Sequence, residues 1–200
     1  MKVAIIDYGH GNFGSLRTAL NRLAIQPAVW HHGDDVEAVD WVIFPGVGSL
    51  KDVMAQLTSQ NVLDRLESLK GHGTRFLGIC LGLQLFFDEG EEGGPGLGWI
   101  PGRVPQLDAP VLPHIGWNTV TPSLPHDRLW RDLPPEPAFY FVHSYYVAPE
   151  NPAIVRGTTE YHQVFPSVIV APPLIGVQFH PELSGRAGHQ LLKNILEEES

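Results

Sequence analysis

The chain has one cysteine, Cys80, set in the string Gly78-Ile79-Cys80-Leu81-Gly82 behind an apolar run. A nucleophile on a sharp strand-to-helix turn needs small residues two positions away on each side, because the backbone folds back there and a Cβ would clash. Both glycines are present. The turn would set the thiol at the start of the following helix, where the positive end of the helix dipole favours thiolate over thiol. Without these neighbours, a cysteine ending a buried strand reads as a small apolar residue. A nucleophile also needs a base, and the base an orienter. Of the ten histidines, His180 meets that need: it directly follows the apolar run Leu174-Ile175-Gly176-Val177-Gln178-Phe179, and Glu182 stands two residues on. Pro181 is expected to keep this stretch extended, so that His180 and Glu182 project to the same side and the carboxylate holds the imidazole tautomer. Donors for a developing oxyanion are expected from Pro45-Gly46-Val47-Gly48, whose glycine N–H groups can approach a ligand, together with the N–H of Leu81.

The elements that must position these residues follow from the pattern of apolar runs. Short runs alternate with amphipathic stretches through the first half, the form taken by β-α units that feed a parallel sheet covered on both faces. Strands are expected at residues 2–7, 27–30, 41–44 and 74–79. Helices are expected after the glycine-rich turn 9–14, with Ser15 near its N-cap, then from Ser49, over 62–70, and over 81–88. Residues 90–98, GEEGGPGLG, hold no regular element by composition. Prolines interrupt the chain every few residues from 99 to 137, which predicts short antiparallel strands and loops across one end of the main sheet. Further strands are expected at 138–142, 145–148, 167–171 and 174–179, and a closing helix over 184–198. The fold class is therefore α/β, a doubly wound, mostly parallel central sheet flanked by helices, with a smaller antiparallel region in the second half. With no repeat and no long linker, one domain over residues 1–200 is expected.

Composition removes several classes of function. Thirteen Lys and Arg against 22 Asp and Glu give a formal charge of -9, and no basic run exists that could track a phosphate backbone. Nucleic acid is not an expected partner. A lone cysteine excludes an internal disulfide framework and any metal site needing several thiolates, and fits a reducing compartment. The opening MKVAIIDYG reads as a first strand rather than a signal peptide, and no apolar run approaches the roughly 18 residues of a membrane span. The expected location is cytoplasmic, away from any membrane.

Together, the cysteine elbow, the His-Pro-Glu string and the glycine-bearing strand exit resemble the class I glutamine amidotransferases over essentially the whole chain. Three further strings place the resemblance in one branch of that family: Asp7-Tyr8-Gly9-His10-Gly11-Asn12, His114-Ile115-Gly116-Trp117-Asn118, and Phe141-Val142-His143-Ser144-Tyr145-Tyr146. The resemblance implies a Cys80–His180–Glu182 triad that hydrolyses glutamine to glutamate and ammonia, with Gly46, Val47, Gly48 and Leu81 at the oxyanion. It implies glutamine contacts from Gln84, Glu92, Ser144 and Tyr145. Glu92 also suits the substrate's α-ammonium on chemical grounds alone. Asn12, Trp117, Asn118 and Tyr140 match positions at a partner interface. The implied partner is a cyclase subunit of TIM-barrel fold, joined in a heterodimer, that uses the ammonia to make imidazole glycerol phosphate and an aminoimidazole carboxamide ribotide in histidine biosynthesis. No metal or organic cofactor is implied. One position departs from the pattern: the family commonly has Lys after His-Pro-Glu, and this chain has Leu183. Two other readings of the same residues are a stand-alone cysteine hydrolase acting on γ-glutamyl or peptide bonds, and a noncatalytic binding module in which Cys80 is core packing.

Overall fold

Four of the predicted strands lie side by side at the centre of one sheet in the computed structural model, which describes residues 1–8, 13–31, 39–46, 48–59 and 62–197. With strands numbered along the chain, the eight-stranded sheet runs β2 (Ala28–Trp30), β1 (Val3–Ile6), β3 (Trp41–Phe44), β4 (Arg75–Ile79), β13 (Leu174–Val177), β12 (Gln163–Ala171), β11 (Val155–Tyr161), β8 (Thr121–Pro122). The pairings from β2 through β13 are parallel, and those from β13 to β8 are antiparallel. Smaller sheets are formed by β10 (Ala148–Pro149), β6 (Gly102–Val104) and β5 (Glu89–Gly90), and by the antiparallel pair β7 (His114–Thr119) and β9 (Ala138–His143).

Strands β1, β3 and β13 are buried at every residue, as expected for parallel strands covered on both faces. Alternation along them splits the core in two. Val3, Ile5, Trp41, Ile43, Leu77, Ile79, Ile175 and Val177 face helices α1 (Gly14–Arg22) and α5 (Gly185–Leu196). Ile6, Val42, Phe44, Phe76 and Leu174 face α2 (Leu50–Ser59) and α3 (Leu63–Gly71). The first and last helices thus share one face, which is the doubly wound arrangement.

Several local expectations are corrected. Ser15 lies inside α1, whose N-cap is Phe13 with no side-chain cap bond; the serine that caps a helix is Ser49, whose Oγ accepts from Asp52 N at 3.2 Å at the start of α2. The helix expected over 81–88 is only α4 (Leu81–Gln84). It stops because the carbonyls of Leu85, Phe86 and Phe87 accept instead from the amides of Leu97, Trp99, Ile100 and Gly98, so the Gly/Pro-rich segment takes the bonds that would have extended the helix. That segment is not wholly irregular, since Gly90 belongs to β5. The strand expected at 145–148 is displaced: Tyr145 makes an isolated bridge to Gln106, and the strand is Ala148–Pro149. Strand β11 was not expected at all. Its inward positions Gly157 and Thr159 carry no apolar alternation, and Thr159 is satisfied inside by donating its hydroxyl to Ser167 Oγ at 2.9 Å.

Candidate active site

Strands β4 and β13 are parallel neighbours with Ile79 level with Val177, so their carboxyl ends lie together. Cys80 leaves one and Gln178, Phe179 and His180 leave the other, with Cys80 N bonded to Val177 O at 2.7 Å. The crevice outside the carboxyl ends of such strands is where ligands bind in open α/β sheets.

The turn at Cys80 is as tight as its glycines imply. Cys80 takes φ 50° and ψ −108°, a conformation that costs a non-glycine residue on the order of 1–3 kcal/mol and persists only where the surroundings enforce it. A Cβ on Gly82 would sit 2.1 Å from Phe44 O, and one on Gly78 would sit 2.5 Å from Gly82 O. The glycines let α4 rest directly on the ends of β3 and β4. Gly46 is held the same way from the opposite side: a Cβ there would lie 2.7 Å from Cys80 Cβ and 2.9 Å from His180 Cε1. The strand exit after β3, the cysteine and the histidine therefore converge on one small space. Gly48 has φ 97°, a left-handed conformation suited to glycine. Leu81 follows Cys80 as the first residue of α4 and is buried.

His180 is extended at φ −101°, ψ 93°, but Pro181 does not keep the next residues extended. Residues Pro181–Leu183 form a 3-10 turn with proline at its first position, where its missing N–H costs nothing. The expected contact survives the change, with His180 Nδ1 donating to Glu182 Oε1 at 2.8 Å. His180 N also donates to Tyr140 O at 2.9 Å, and Ser184 Oγ donates to His180 O at 2.6 Å. The ring is nine-tenths buried, its backbone tied on both sides. Burial by itself pulls the imidazolium pKa down, but the hydrogen bonds and negative charges of Cys80 and Glu182 outweigh it and raise the value to about 10. Nε2 is buried beside the sulfur and, among the described residues, has no partner in full hydrogen-bond geometry, the looseness common before a ligand is bound. This leaves an imidazolium beside the sulfur at neutral pH.

Around the sulfur, the thiol points at Val142 O at 3.7 Å, and Gln178 Nε2 lies 3.6 Å from Sγ. Gln84, on α4 one turn past the cysteine, is buried and gives its amide N–H to Tyr145 O at 3.0 Å and to Gln178 Oε1 at 3.4 Å. Tyr145 thus meets Gln84 through its backbone carbonyl. Ser144 is half-buried beside it, its carbonyl accepting from Leu107 N at 2.9 Å. Glu92 is exposed, and its Oε2 accepts from Leu50 N at 3.0 Å, which sets a carboxylate at the positive start of α2.

Trp117 and Tyr140 face one another across the β7–β9 pair, their rings 6.3 Å apart and edge-on, and Trp117 is 60% exposed. Asn118 is turned inward, donating to Glu160 O at 2.9 Å and approaching His114 Nε2 at 3.3 Å. Leu183 is exposed on the turn after the histidine. Asn12 and Val47 lie outside the described residues. Gln178, His114 and His143 are the site-region residues that the reading of side-chain chemistry passed over. Gln178 had a signal, a polar residue in an otherwise apolar run; the two histidines stand in strings that carry the family resemblance, but their contact had no signal, because they meet through the β7–β9 pairing. Among the described residues, no three His, Cys, Asp or Glu side chains are grouped so as to hold a metal ion.

Comparison with known proteins bears on this geometry. A family model described as glutamine amidotransferase class-I matches residues 4–198. The chain is 45% identical over 196 residues to the imidazole glycerol phosphate synthase subunit HisH of Moorella thermoacetica, a match covering 96% of this chain and 93% of that protein. It is 41% identical over 199 residues to the HisH subunit of Thermosynechococcus vestitus, covering 97% and 95%. The fold is similar to that of PurLQS from Thermotoga maritima, with a TM-score of 0.77 at 15% identity over 98% of this chain and 97% of the other.

Proposed function

The chain belongs to the class-I glutamine amidotransferases, and from that premise we propose that it is the glutaminase subunit of an imidazole glycerol phosphate synthase, acting in histidine biosynthesis. The observation that carries the reading is a single cysteine on a positive-φ turn facing a histidine bound to a carboxylate at 2.8 Å. Cys80 is the nucleophile, His180 the acid and base, and Glu182 its orienter. The Cys80 thiolate attacks the side-chain amide carbon of glutamine, and the oxyanion is met by N–H groups of Leu81 and of the loop carrying Gly46, Val47 and Gly48. The His180 imidazolium passes its Nε2 proton to the departing nitrogen, releasing ammonia and leaving a γ-glutamyl thioester. Neutral His180 then takes a proton from water, whose oxygen attacks the thioester carbon. The carbon–sulfur bond breaks, and glutamate, thiolate and imidazolium remain. Glu92, Gln84, Ser144 and Tyr145 surround the bound glutamine.

Free ammonia protonates in water and loses its nucleophilicity, so the reaction calls for a partner that consumes it where it forms. That partner is a cyclase subunit of TIM-barrel fold in a heterodimer with this chain, docked on the face carrying Trp117 and Tyr140, with Asn12 and Asn118 the other positions that the family resemblance assigns to the interface. The exposed Trp117 supports this placement, since exposed aromatic side chains are favoured anchors of interfaces. The test is a glutaminase assay of the chain with and without a cyclase subunit and its nucleotide ligand. Activity that is low alone and rises in the complex is the expected result. Full activity without the cyclase overturns the coupled reading, and failure of Cys80 to react with a glutamine-mimicking electrophile even in the complex overturns the amidotransferase chemistry.

A further inference from the structure

The residue between Val177 and Phe179 is Gln178, fully buried at the end of an apolar strand. A buried primary amide is costly unless its atoms are bonded, and here the partners are unusual. The backbone N–H of Gln178 is spent on Ser167 O at 2.9 Å. Among the described residues its side chain has two neighbours within bonding reach, Gln84 Nε2 at 3.4 Å from Oε1 and Cys80 Sγ at 3.6 Å from Nε2.

Which end of the amide faces the sulfur follows from a chain of contacts. Tyr145 O, a carbonyl, can only accept. The Gln84 atom 3.0 Å from it is therefore a nitrogen, and the second hydrogen of that nitrogen meets the Gln178 atom at 3.4 Å, which must be the oxygen. The other Gln178 atom is then the nitrogen, and it presents an N–H to Sγ. The same carbonyl orders a second branch. His143 Nδ1 lies 2.8 Å from Tyr145 O and so carries the proton, which leaves His143 Nε2 to accept from His114 Nδ1 at 3.0 Å, and His114 Nε2 to accept from Asn118 Nδ2 at 3.3 Å. Every member of the chain is satisfied in one pattern only, with both histidines neutral.

From this we infer that Gln178 is a further working residue of the site, an N–H donor to the Cys80 sulfur that favours its thiolate form, oriented by Gln84 and the Tyr145 carbonyl. A hydrogen bond to an ionised acceptor is stronger than one to the neutral form, so a donor aimed at the sulfur stabilises the thiolate. The other groups set around the sulfur are the His180–Glu182 pair, whose positive ring acts in the same direction, and the Val142 carbonyl, which serves only the protonated thiol. His143 is neutral and adds no charge. The inference rests on the reading of Cys80 as the nucleophile.

The test compares the full chain with Gln178→Met, close in size with no donor, and Gln178→Glu, which offers oxygens to the sulfur. The rate of Cys80 alkylation by iodoacetamide is followed by mass spectrometry across pH, with thermal melting as the control for folding. In Gln178→Met the rate on the acid side of the profile, where the thiolate is the minor form, falls about tenfold as the profile moves to higher pH by about one unit; Gln178→Glu moves it further. Profiles that coincide with the unsubstituted chain in a folded variant overturn the inference. A second measurement needs no substitution: the Gln178 side-chain amide protons of the native chain shift in NMR spectra over the pH range in which alkylation sets in, and a resonance that stays fixed across that range overturns it as well. A native Cys80 that reacts no faster than the unfolded chain at every pH tells against the nucleophile itself, which separates the two failures.

Discussion

Glu182 is two residues from the histidine it serves, yet its contribution is the easiest in the molecule to isolate. It accepts from His180 Nδ1 at 2.8 Å, which fixes the tautomer so that Nε2 faces the sulfur, and its charge is one cause of the raised imidazolium pKa. Glu182→Gln keeps the shape and removes the charge. A neutral amide can also present its N–H to the ring and favour the wrong tautomer. We expect the glutaminase rate of the complex to fall by roughly 10²-fold or more, with the KM for glutamine little changed, because the loss falls on proton transfer and not on substrate contacts. A steady-state assay over glutamine concentration reads both constants, and an effect confined to KM contradicts the assignment. At this scale the sequence was highly informative. Cys80, its flanking glycines, and the His180–Glu182 spacing are local patterns whose chemistry depends on residues two positions apart. Gln178 was legible only as an oddity in an apolar run, since its partners Gln84 and Cys80 are 94 and 98 residues away.

Between elements, the decisive contact is the seating of α4 on the strand ends. Gly82 lies against Phe44 O so closely that any Cβ overlaps backbone, and Gly176 of β13 leaves room for Leu83, since a Cβ on Gly176 would lie 2.2 Å from Leu83 Cδ1. The helix cannot back away without moving Cys80, because Cys80 is its N-cap residue. Gly82→Ala is therefore expected to cost at least about 2 kcal/mol by overpacking, and to reduce Cys80 reactivity in whatever fraction folds. Chemical denaturation of the variant beside the unsubstituted chain measures the first effect; unchanged stability is incompatible with the packing described. The pattern of apolar runs located the central strands because their burial is continuous. It overran α4 because helix termination there depends on amides from residues 97–100 that compete for the same carbonyls. It missed β11 because a strand with Gly157 and Thr159 facing inward has no apolar period.

For the molecule as a whole, two sets of buried histidines give its stability an acid and an alkaline limit. Burial, with the charges of His114 and His180, lowers His143 to about 3 against a weaker opposing bond from Tyr145 O, and burial lowers His114 to about 4. Below about pH 6.5 the unfolded chain takes up protons that these folded rings refuse, so their contribution is complete above that pH and is lost as pH falls towards 4 and 3. His180 has the opposite sign. Its folded value of about 10 exceeds the unfolded one, so its contribution is complete below about pH 6.5 and is lost as pH rises through about 10. Melting temperatures from pH 4 to pH 10 should fall at both ends. His143→Gln, which can keep both hydrogen bonds without titrating, flattens the acid limb, and Glu182→Gln flattens the alkaline one. A variant that alters the limb opposite to its own contradicts the corresponding sign. No helix among the described residues is long and apolar enough to cross a membrane. By itself the sequence determined the α/β class, the strand-to-helix elbow and the histidine–carboxylate pair, because each is specified by neighbours within a few residues and by the period of burial. Only the tertiary structure decided that β4 and β13 lie together with Cys80 and His180 at one edge. It also joined Asn118, His114, His143, Tyr145, Gln84 and Gln178 into one hydrogen-bonded chain ending at the sulfur, since these contacts are made by strand pairing and packing between segments that share no local pattern.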